Sequence, residues 1–400
     1  MEAYEACHPT LYGPGSHHLQ PSYGWKISEV VVVRRVGRLH VGTSGANLVV
    51  ELPSVCQALS DAPWNGGLAN VRYVVNHRVP EDFNCGSPIK EMLSALSHLG
   101  IPPEEALGLM TAADVTRFSV KMRRMQGVSV ISLATVGLTN TRGVMEPPPR
   151  ANTCSTVNLI VFCDCRATQP AMVNALQTAV EAKCSLFRLL DVRSSTSGVP
   201  AAGTSTDTTT VIFSGVGRRL EYAGTATVLG YLVGLTVTEC LLEQLRASKF
   251  IGRSVLERLR ERGVSVDDLV EAAVGGIVGS KPDSFEQRFL AELRAALNDP
   301  NVASLIIAAL RLEDEAEFDM IPSLPKKLHD ADPVQVTADE DIGEMIARYL
   351  AGTMGIHNFH HYDRLKPGCL GRLPMFLDDA LCGLIGGVAS KVFSGIGRAK

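Results

Sequence analysis

Three groups of residues in this chain have types and spacings that can do chemistry. The segment 203–210, GTSTDTTT, packs small residues and hydroxyls around the carboxylate of Asp207, so a polar ligand can approach its backbone closely. An ordinary polar turn has the same composition. Upstream, Glu181 and Lys183 lie two residues apart, so on a helix they point to different sides and cannot form the usual i, i+4 surface pair. A carboxylate that exchanges protons and an ammonium that steadies developing negative charge are what amide hydrolysis uses. A solvated helix face would carry the same residues.

The third group lies near the C-terminus. Asp339 and Glu340 open one apolar-periodic segment, Asp363 and Lys366 sit in YDRLKPG, and Asp378 and Asp379 lead into another apolar segment. Carboxylates at helix starts are favoured by the helix macrodipole alone. Brought together, however, they would bind Mg²⁺, which prefers carboxylate, water and phosphate oxygens, and Lys366 would then meet a phosphate. No His and Cys cluster has zinc-ligand spacing; Cys163 and Cys165, flanking Asp164, read as packing residues. No metal or other cofactor is therefore expected in the N-terminal part.

The elements that must position these groups change in texture along the chain. EVVVVRRVGRLHVG and LANVRYVVNHRV read as strands, and TRFSVKMRRMQGVSVISLATVGL reads as a hairpin turning at Gln126 and Gly127. PIKEMLSALSHLG and PPEEALGLM show helical spacing. STVNLIVFCDC is a buried strand, followed from Thr168 and Pro170 by a helix to Leu190. DTTTVIFSG is another strand, and a helix runs from about Thr227 through LLEQLRASKF. Beyond Lys249, RSVLERLRERG, DDLVEAAVGGIV, FEQRFLAELRAAL and NVASLIIAALRLEDE all repeat near 3.6 residues. The expected architecture is an α/β (α+β) N-terminal domain over 1–245, with a flexible lead-in over 1–24, and an all-α domain over 246–400.

Composition narrows the function. The chain's 400 residues, 46% hydrophobic, are enough for two cores. With 38 basic and 42 acidic side chains and no long run of one sign, nucleic acid is not an expected partner. Ten irregularly spaced cysteines and the absence of an apolar targeting core at the N-terminus point to reduced thiols and the cytoplasm. The longest apolar stretches, near Leu229 to Leu242 and Ala380 to Val388, fall short of the ~20 residues that span a bilayer, so no membrane insertion is expected. Oligomeric state is left open, a homo-oligomer included.

From about Ala58 to Leu245 the chain resembles the adenosylcobinamide amidohydrolases. The carrying motifs, in order, are WNGGLANVRYVVNHRV, GLMTAAD, TVGLTN, STVNLIV, AVEAK, GTSTDT and YAGTATVLG. The resemblance implies hydrolysis of the amide joining aminopropanol to the corrinoid acid, giving adenosylcobyric acid. Its polar motif positions are Asn76, Asn140, Asn158, Glu181, Lys183, Thr204, Thr206, Asp207, Tyr222, Gly224 and Thr227. The chain departs from the family pattern at Ser205, where glycine is expected, and at Ala226, where a histidine commonly precedes the threonine. The expected catalytic set is Glu181, Lys183, Asp207 and Thr206: a carboxylate activates water or a threonine, while Lys183 and the asparagines stabilise the oxyanion.

From about Gly252 to Phe393, DEDIGEMIA, YDRLKPG and FLDDALCGL resemble phosphatidylglycerophosphatase A and its soluble relatives, which include an α-ribazole-5'-phosphate phosphatase. The glycine-rich opening segment of the lipid phosphatases has no clear counterpart, which favours a soluble phosphate ester. Two other readings stay open: a helical domain that only dimerises or docks, and an N-terminal domain that binds corrinoid without cleaving it.

Overall fold

The computed structural model describes residues 30–83, 87–149, 155–333 and 335–398; the lead-in expected over 1–24 lies outside them. The strands are β1 (Val30–Val36), β2 (Leu39–Ser44), β3 (Asn47–Ser60), β4 (Gly67–Arg78), β5 (Ala106–Thr111), β6 (Ser119–Met125), β7 (Val128–Val136), β8 (Thr141–Arg142), β9 (Val157–Cys163), β10 (Arg166–Ala167), β11 (Gly203–Thr204), β12 (Thr208–Phe213) and β13 (Arg219–Leu220). The helices are α1 (Pro88–Leu99), α2 (Gln169–Leu189), α3 (Val228–Ala247), α4 (Val255–Arg260), α5 (Val266–Gly275), α6 (Phe285–Asn298), α7 (Pro300–Ala316), α8 (Lys326–His329), α9 (Ala338–Leu365) and α10 (Met375–Arg398). The N-terminal region is thus mixed α/β around a sheet, and the C-terminal region is helical.

The chain forms two compact units that interleave: Met1–Gly137 with Asn152–Ala182 and Thr206–Cys240, and Leu138–Ala151 with Lys183–Ser205 and Leu241–Lys400. A single boundary near 246 does not describe this grouping. β8 pairs antiparallel with β11, which joins the two inserted stretches to each other, and Asp191 ties them to the later part of the second unit through Arg258 and Arg262.

In the first unit the sheet runs β1-β2-β3-β12-β9-β7-β6, with β4 pairing both β3 and β5. β9 and β12 are parallel neighbours, β4 and β5 are parallel as well, and the short β10 and β13 pair in parallel outside this sheet. The hairpin between β6 and β7 turns on Gln126 (φ 48°) and Gly127 (φ 78°), the left-handed pair that a two-residue hairpin loop needs. The helical spacing read over PPEEALGLM is overturned, because ALGLMT is strand β5. Its Ala106, Leu107 and Leu109 are fully buried, and a short apolar run bonded to β4 is as good a strand as a helix. α1 is capped by Ser87, which accepts the Lys90 N–H, and packs Met92 and Leu96 beside Val49 and Val75.

α3 is 20 residues long and apolar enough to cross a membrane by length and composition, so the shorter apolar stretch read there is corrected. Half of its most apolar window is buried within the protein. Thr236 bonds Ser132 at 2.7 Å, and Glu239 pairs with Arg123 at 2.8 Å, as a core helix would.

The second unit is organised on α10, buried from Met375 to Ser390, with α5, α6, α7 and α9 around it. Small residues permit the close approach of α9 and α10. A Cβ on Gly383 would lie 2.1 Å from the Gly343 carbonyl oxygen, and one on Gly343 would lie 2.6 Å from that of Asp379. α9 itself bends at Ala351 and Gly352, which leave helical geometry, and its two halves meet where Gly343 faces Phe359.

Candidate functional site

The first unit gathers its polar residues where the chain enters β9 and β12. Asn158 is in register with Thr208, so Ser155 to Val157 and Thr206 to Asp207 run side by side. Asp207 Oδ1 accepts the Val157 N–H at 3.0 Å, and the Thr206 hydroxyl donates to the Ser155 carbonyl at 3.1 Å. The Thr156 hydroxyl donates to the Thr206 carbonyl at 2.6 Å and lies 3.4 Å from Asn158 Oδ1. Asn158 then donates to Asn76 Oδ1 at 2.8 Å and to the Met110 carbonyl at 2.9 Å, and Asn76 donates to Thr135 at 3.0 Å. Both asparagines are 1% exposed, a position in which an amide must be bonded. Asn76, Asn158, Thr206 and Asp207 are therefore brought into one polar chain. Thr135, Thr156 and the Met110 carbonyl complete it; they lie in the motifs TVGLTN, STVNLIV and GLMTAAD but are not among the positions singled out there.

α2 leaves β9 at its C-terminal end and must return the chain to the start of the parallel β12. Its second half, with Glu181, therefore comes back toward the end that holds Asp207. Glu181 is exposed and takes a hydrogen bond from Gln177 at 3.2 Å, whereas Lys183 is buried, so the two do face differently. Tyr222 is exposed. Thr227 accepts the Gly230 N–H at 3.0 Å and donates to the Gly224 carbonyl at 2.8 Å, so this pair caps α3. Lys183, Asn140 and Thr204 belong to the second unit; there Asn140 donates to Ser205 at 2.9 Å and Thr204 pairs with Thr141. Cys163 and Cys165 are buried beside β9. Burial raises both thiols, that of Cys165 to about 12, and the charge of Asp164 adds to it.

The second unit brings all five predicted carboxylates to one place. Asp363, Asp378 and Asp379 cluster within 4.8 Å together with Cys382, and Asp339 and Glu340 lie within the same distance of Asp379. Asp339, Asp378 and Asp379 are 1, 2 and 4% exposed. Burial, followed by repulsion from Asp363 and Asp339, pushes Asp379 up to about 9; burial and the hydrogen bond that its protonated form donates to Glu340 push Asp339 up to about 7. Asp378 is also raised by burial, against the pull of Lys366. The Lys366 ammonium sits 2.5 Å from Asp378, 3.0 Å from Asp332 and 3.8 Å from Asp363.

The donor set suits a hard cation. Asp339 Oδ1 and Glu340 Oε2 are buried and have no hydrogen-bond partner, and oxygens less than 4.8 Å apart are spaced like ligands on one ion at ~2.0–2.6 Å. One supporting group escaped sequence reasoning. Glu313 of α7, paired with His329 at 2.9 Å, accepts the N–H groups of Phe376 and Leu377 at 2.5 and 3.1 Å and so anchors the turn that carries Asp378 and Asp379. In the run LEDEAEF it looks like a solvated face.

At the starts of β9 and β12 an α/β framework thus holds a bonded chain of amides, hydroxyls and one carboxylate. The family model for adenosylcobinamide amidohydrolase matches residues 33–251, more than half of the sequence, and the chain belongs to that family. The adenosylcobinamide amidohydrolase of Methanosarcina mazei is 28% identical over 192 residues, which are 46% of this chain and 85% of that protein. An uncharacterized protein of Methanocaldococcus jannaschii is 39% identical over 130 residues, 31% of this chain and 99% of that protein. Among solved structures, the low temperature requirement C protein from Listeria monocytogenes overlaps 36% of this chain and 94% of its own, at 23% identity and a TM-score of 0.33.

Proposed function

We propose that the protein is a bifunctional hydrolase of cobalamin salvage, working in the cytoplasm. The first activity cleaves the aminopropanol amide of adenosylcobinamide to adenosylcobyric acid. The second releases phosphate from α-ribazole 5'-phosphate. Membership of the amidohydrolase family supports the first. In that reaction water or the Thr206 hydroxyl attacks the amide carbon, Glu181 and Asp207 take the proton and return it to the leaving amine, and Asn76 and Asn158 fix the strands that carry them; Lys183 and Asn140 are assigned to the oxyanion. Thr204, Tyr222, Gly224 and Thr227 are assigned to substrate contacts, the last two through the N-terminus of α3.

The observation that carries the second activity is the convergence of five carboxylates on Asp379 beside Lys366. Asp339, Glu340, Asp363, Asp378 and Asp379 would hold Mg²⁺, whose charge offsets that of a phosphate ester. Lys366, already on Asp378, would turn an N–H toward a phosphate oxygen. The full protein, incubated separately with adenosylcobinamide and with α-ribazole 5'-phosphate, in Mg²⁺ or in EDTA, tests both halves. Aminopropanol should appear in either medium and phosphate only with Mg²⁺. Corrinoid binding without aminopropanol would make the N-terminal part a carrier. Absence of phosphate release would leave the helices as a docking module, and release from phosphatidylglycerophosphate instead would make the substrate a lipid.

A further inference from the structure

The acidic centre of the second unit falls into two halves that share Asp379. One half groups Asp363, Asp378, Asp379 and Cys382, the other Asp339, Glu340 and Asp379, with the donor atoms of each half within 4.8 Å of one another. The first half already has a counter-charge and its hydrogen bonds. The Lys366 ammonium lies 2.5 Å from Asp378 Oδ2 and 3.8 Å from Asp363 Oδ1, and the Cys382 thiol donates to Asp378 Oδ1 at 3.5 Å, so both oxygens of Asp378 are engaged. The backbone holds Lys366 there: it ends α9 in the left-handed region (φ 41°), which favours glycine, and its N–H bonds the Tyr362 carbonyl at 2.7 Å.

The second half has neither. Asp339 Oδ1 and Glu340 Oε2 are buried without a hydrogen-bond partner, Asp339 is 1% exposed, and among the described residues no lysine, arginine or histidine pairs with Asp339, Glu340 or Asp379. A buried anionic oxygen left without donor or counter-charge is costly, and a bound cation removes that cost. Donor chemistry divides the halves in the same way. Asp339, Glu340 and Asp379 offer only carboxylate oxygens, the set that hard Mg²⁺ and Mn²⁺ take, whereas the other half adds a thiol, a soft donor that suits them poorly.

We infer that the centre seats one divalent cation, on Asp339, Glu340 and Asp379, and that the Lys366 ammonium is a built-in cation standing where a second metal ion would otherwise sit, beside Asp363 and Asp378. An ammonium on the Asp378 and Asp363 oxygens repels a metal ion from those same oxygens. The inference rests on the cation seat proposed above and narrows it from five carboxylates to three. A phosphate ester would then meet one metal ion and one ammonium, in place of the metal pair that many phosphatases use.

The test is a count of Mn²⁺ bound to the full-length protein by equilibrium dialysis, with electron paramagnetic resonance spectra of the same samples; the ions that Asp379→Asn fails to bind are those of this centre. Wild type should hold one such ion, with the spectrum of an isolated Mn²⁺. Lys366→Met, which keeps the aliphatic stem and removes the charge, should keep its circular dichroism and hold two, with the broadened spectrum of a coupled pair. With Lys366 in place, Asp339→Asn should weaken Mn²⁺ binding at least about tenfold and Asp363→Asn by less than about threefold. Two ions in wild type, a single ion in folded Lys366→Met, equal losses in Asp339→Asn and Asp363→Asn, or no loss in Asp379→Asn would each overturn the inference. Phosphate release, measured separately, judges the reading beneath it. Its absence with the expected counts would strike the phosphatase and leave the cation seat, while Mg²⁺-dependent release with two ions in wild type would strike the inference alone.

Discussion

The two polar centres are built on opposite principles. In the first unit, Asn76, Asn158, Thr206 and Asp207 are all hydrogen-bonded to one another or to the backbone, and the groups are mostly neutral. In the second, Asp339, Asp363, Asp378 and Asp379 crowd together against their own repulsion, with two oxygens left unbonded. A satisfied network stabilises its fold without help. A frustrated one is tolerated where something else supplies the missing charge, so under the function proposed above the first centre would orient substrate and the second would seat a cation.

Removing the shared ligand is the strongest way to break that contrast. Asp379→Asn replaces a hard anionic donor by a neutral amide, and phosphate release should fall at least about 10⁴-fold, to the level of a lost metal centre, with amide hydrolysis unchanged. If the variant keeps wild-type turnover at limiting Mg²⁺, the carboxylates are helix caps and the contrast fails. The matching change in the first unit is Glu181→Gln or Asp207→Asn. Each should lower aminopropanol release by about 10² to 10⁴, the share of a general acid or base, with corrinoid binding less affected. Turnover within about threefold of wild type would make both carboxylates structural and move catalysis to Lys183, Thr206 and the asparagines.

How far each centre could be read from the sequence follows from its construction. The acidic centre was legible because its members are unusual: paired carboxylates opening apolar helices stand out, and the structure brings every one of them together. Its support was not legible, since Glu313 and His329 are 16 positions apart and joined only by the fold. The polar chain was half legible. Asn76, Asn158, Thr206 and Asp207 stand out within their motifs, whereas Thr135 and Thr156, in the motifs TVGLTN and STVNLIV, have the side chain of any strand threonine and are given a role only by their partners. In the fold, β9 and the Gln126–Gly127 turn were plain from local pattern, but β5 was not, because parallel pairing with β4 is a non-local fact. The interleaving of the two units was equally hidden, since Asp191 meets arginines 62 to 120 positions later in the sequence.

A smaller effect sharpens the comparison through packing. Gly383→Ala places a methyl group 2.1 Å from the Gly343 carbonyl, so α9 and α10 must part. Denaturant unfolding should show a loss of about 1–3 kcal/mol, the range for overpacking, and the affinity for Mg²⁺ should fall with it. Unchanged stability and metal affinity would mean that the helix contact does not set the spacing of the carboxylates.

The mildest test uses protons in place of substitutions. Asp379 and Asp339 are raised in the folded state to about 9 and about 7, while an unfolded chain holds aspartate near ~4. Between those limits the folded protein binds more protons than the unfolded one, so stability without metal should be greatest below pH ~4 as far as these groups contribute. It should then decline as pH rises through about 7 and about 9. A divalent cation binds the ionised carboxylates and competes with those protons. Added Mg²⁺ should therefore raise the melting temperature little at pH 5.5 and by several degrees at pH 8.5, since stabilisation grows with ligand concentration over Kd. The amides and hydroxyls of the first unit's polar chain predict no such pattern, because they do not titrate in this range. Asp379→Asn should abolish the Mg²⁺ effect at pH 8.5 and flatten the decline. If Mg²⁺ stabilises equally at both pH values, or if the variant responds as wild type does, the buried carboxylates are not a cation seat and their crowding has another cause.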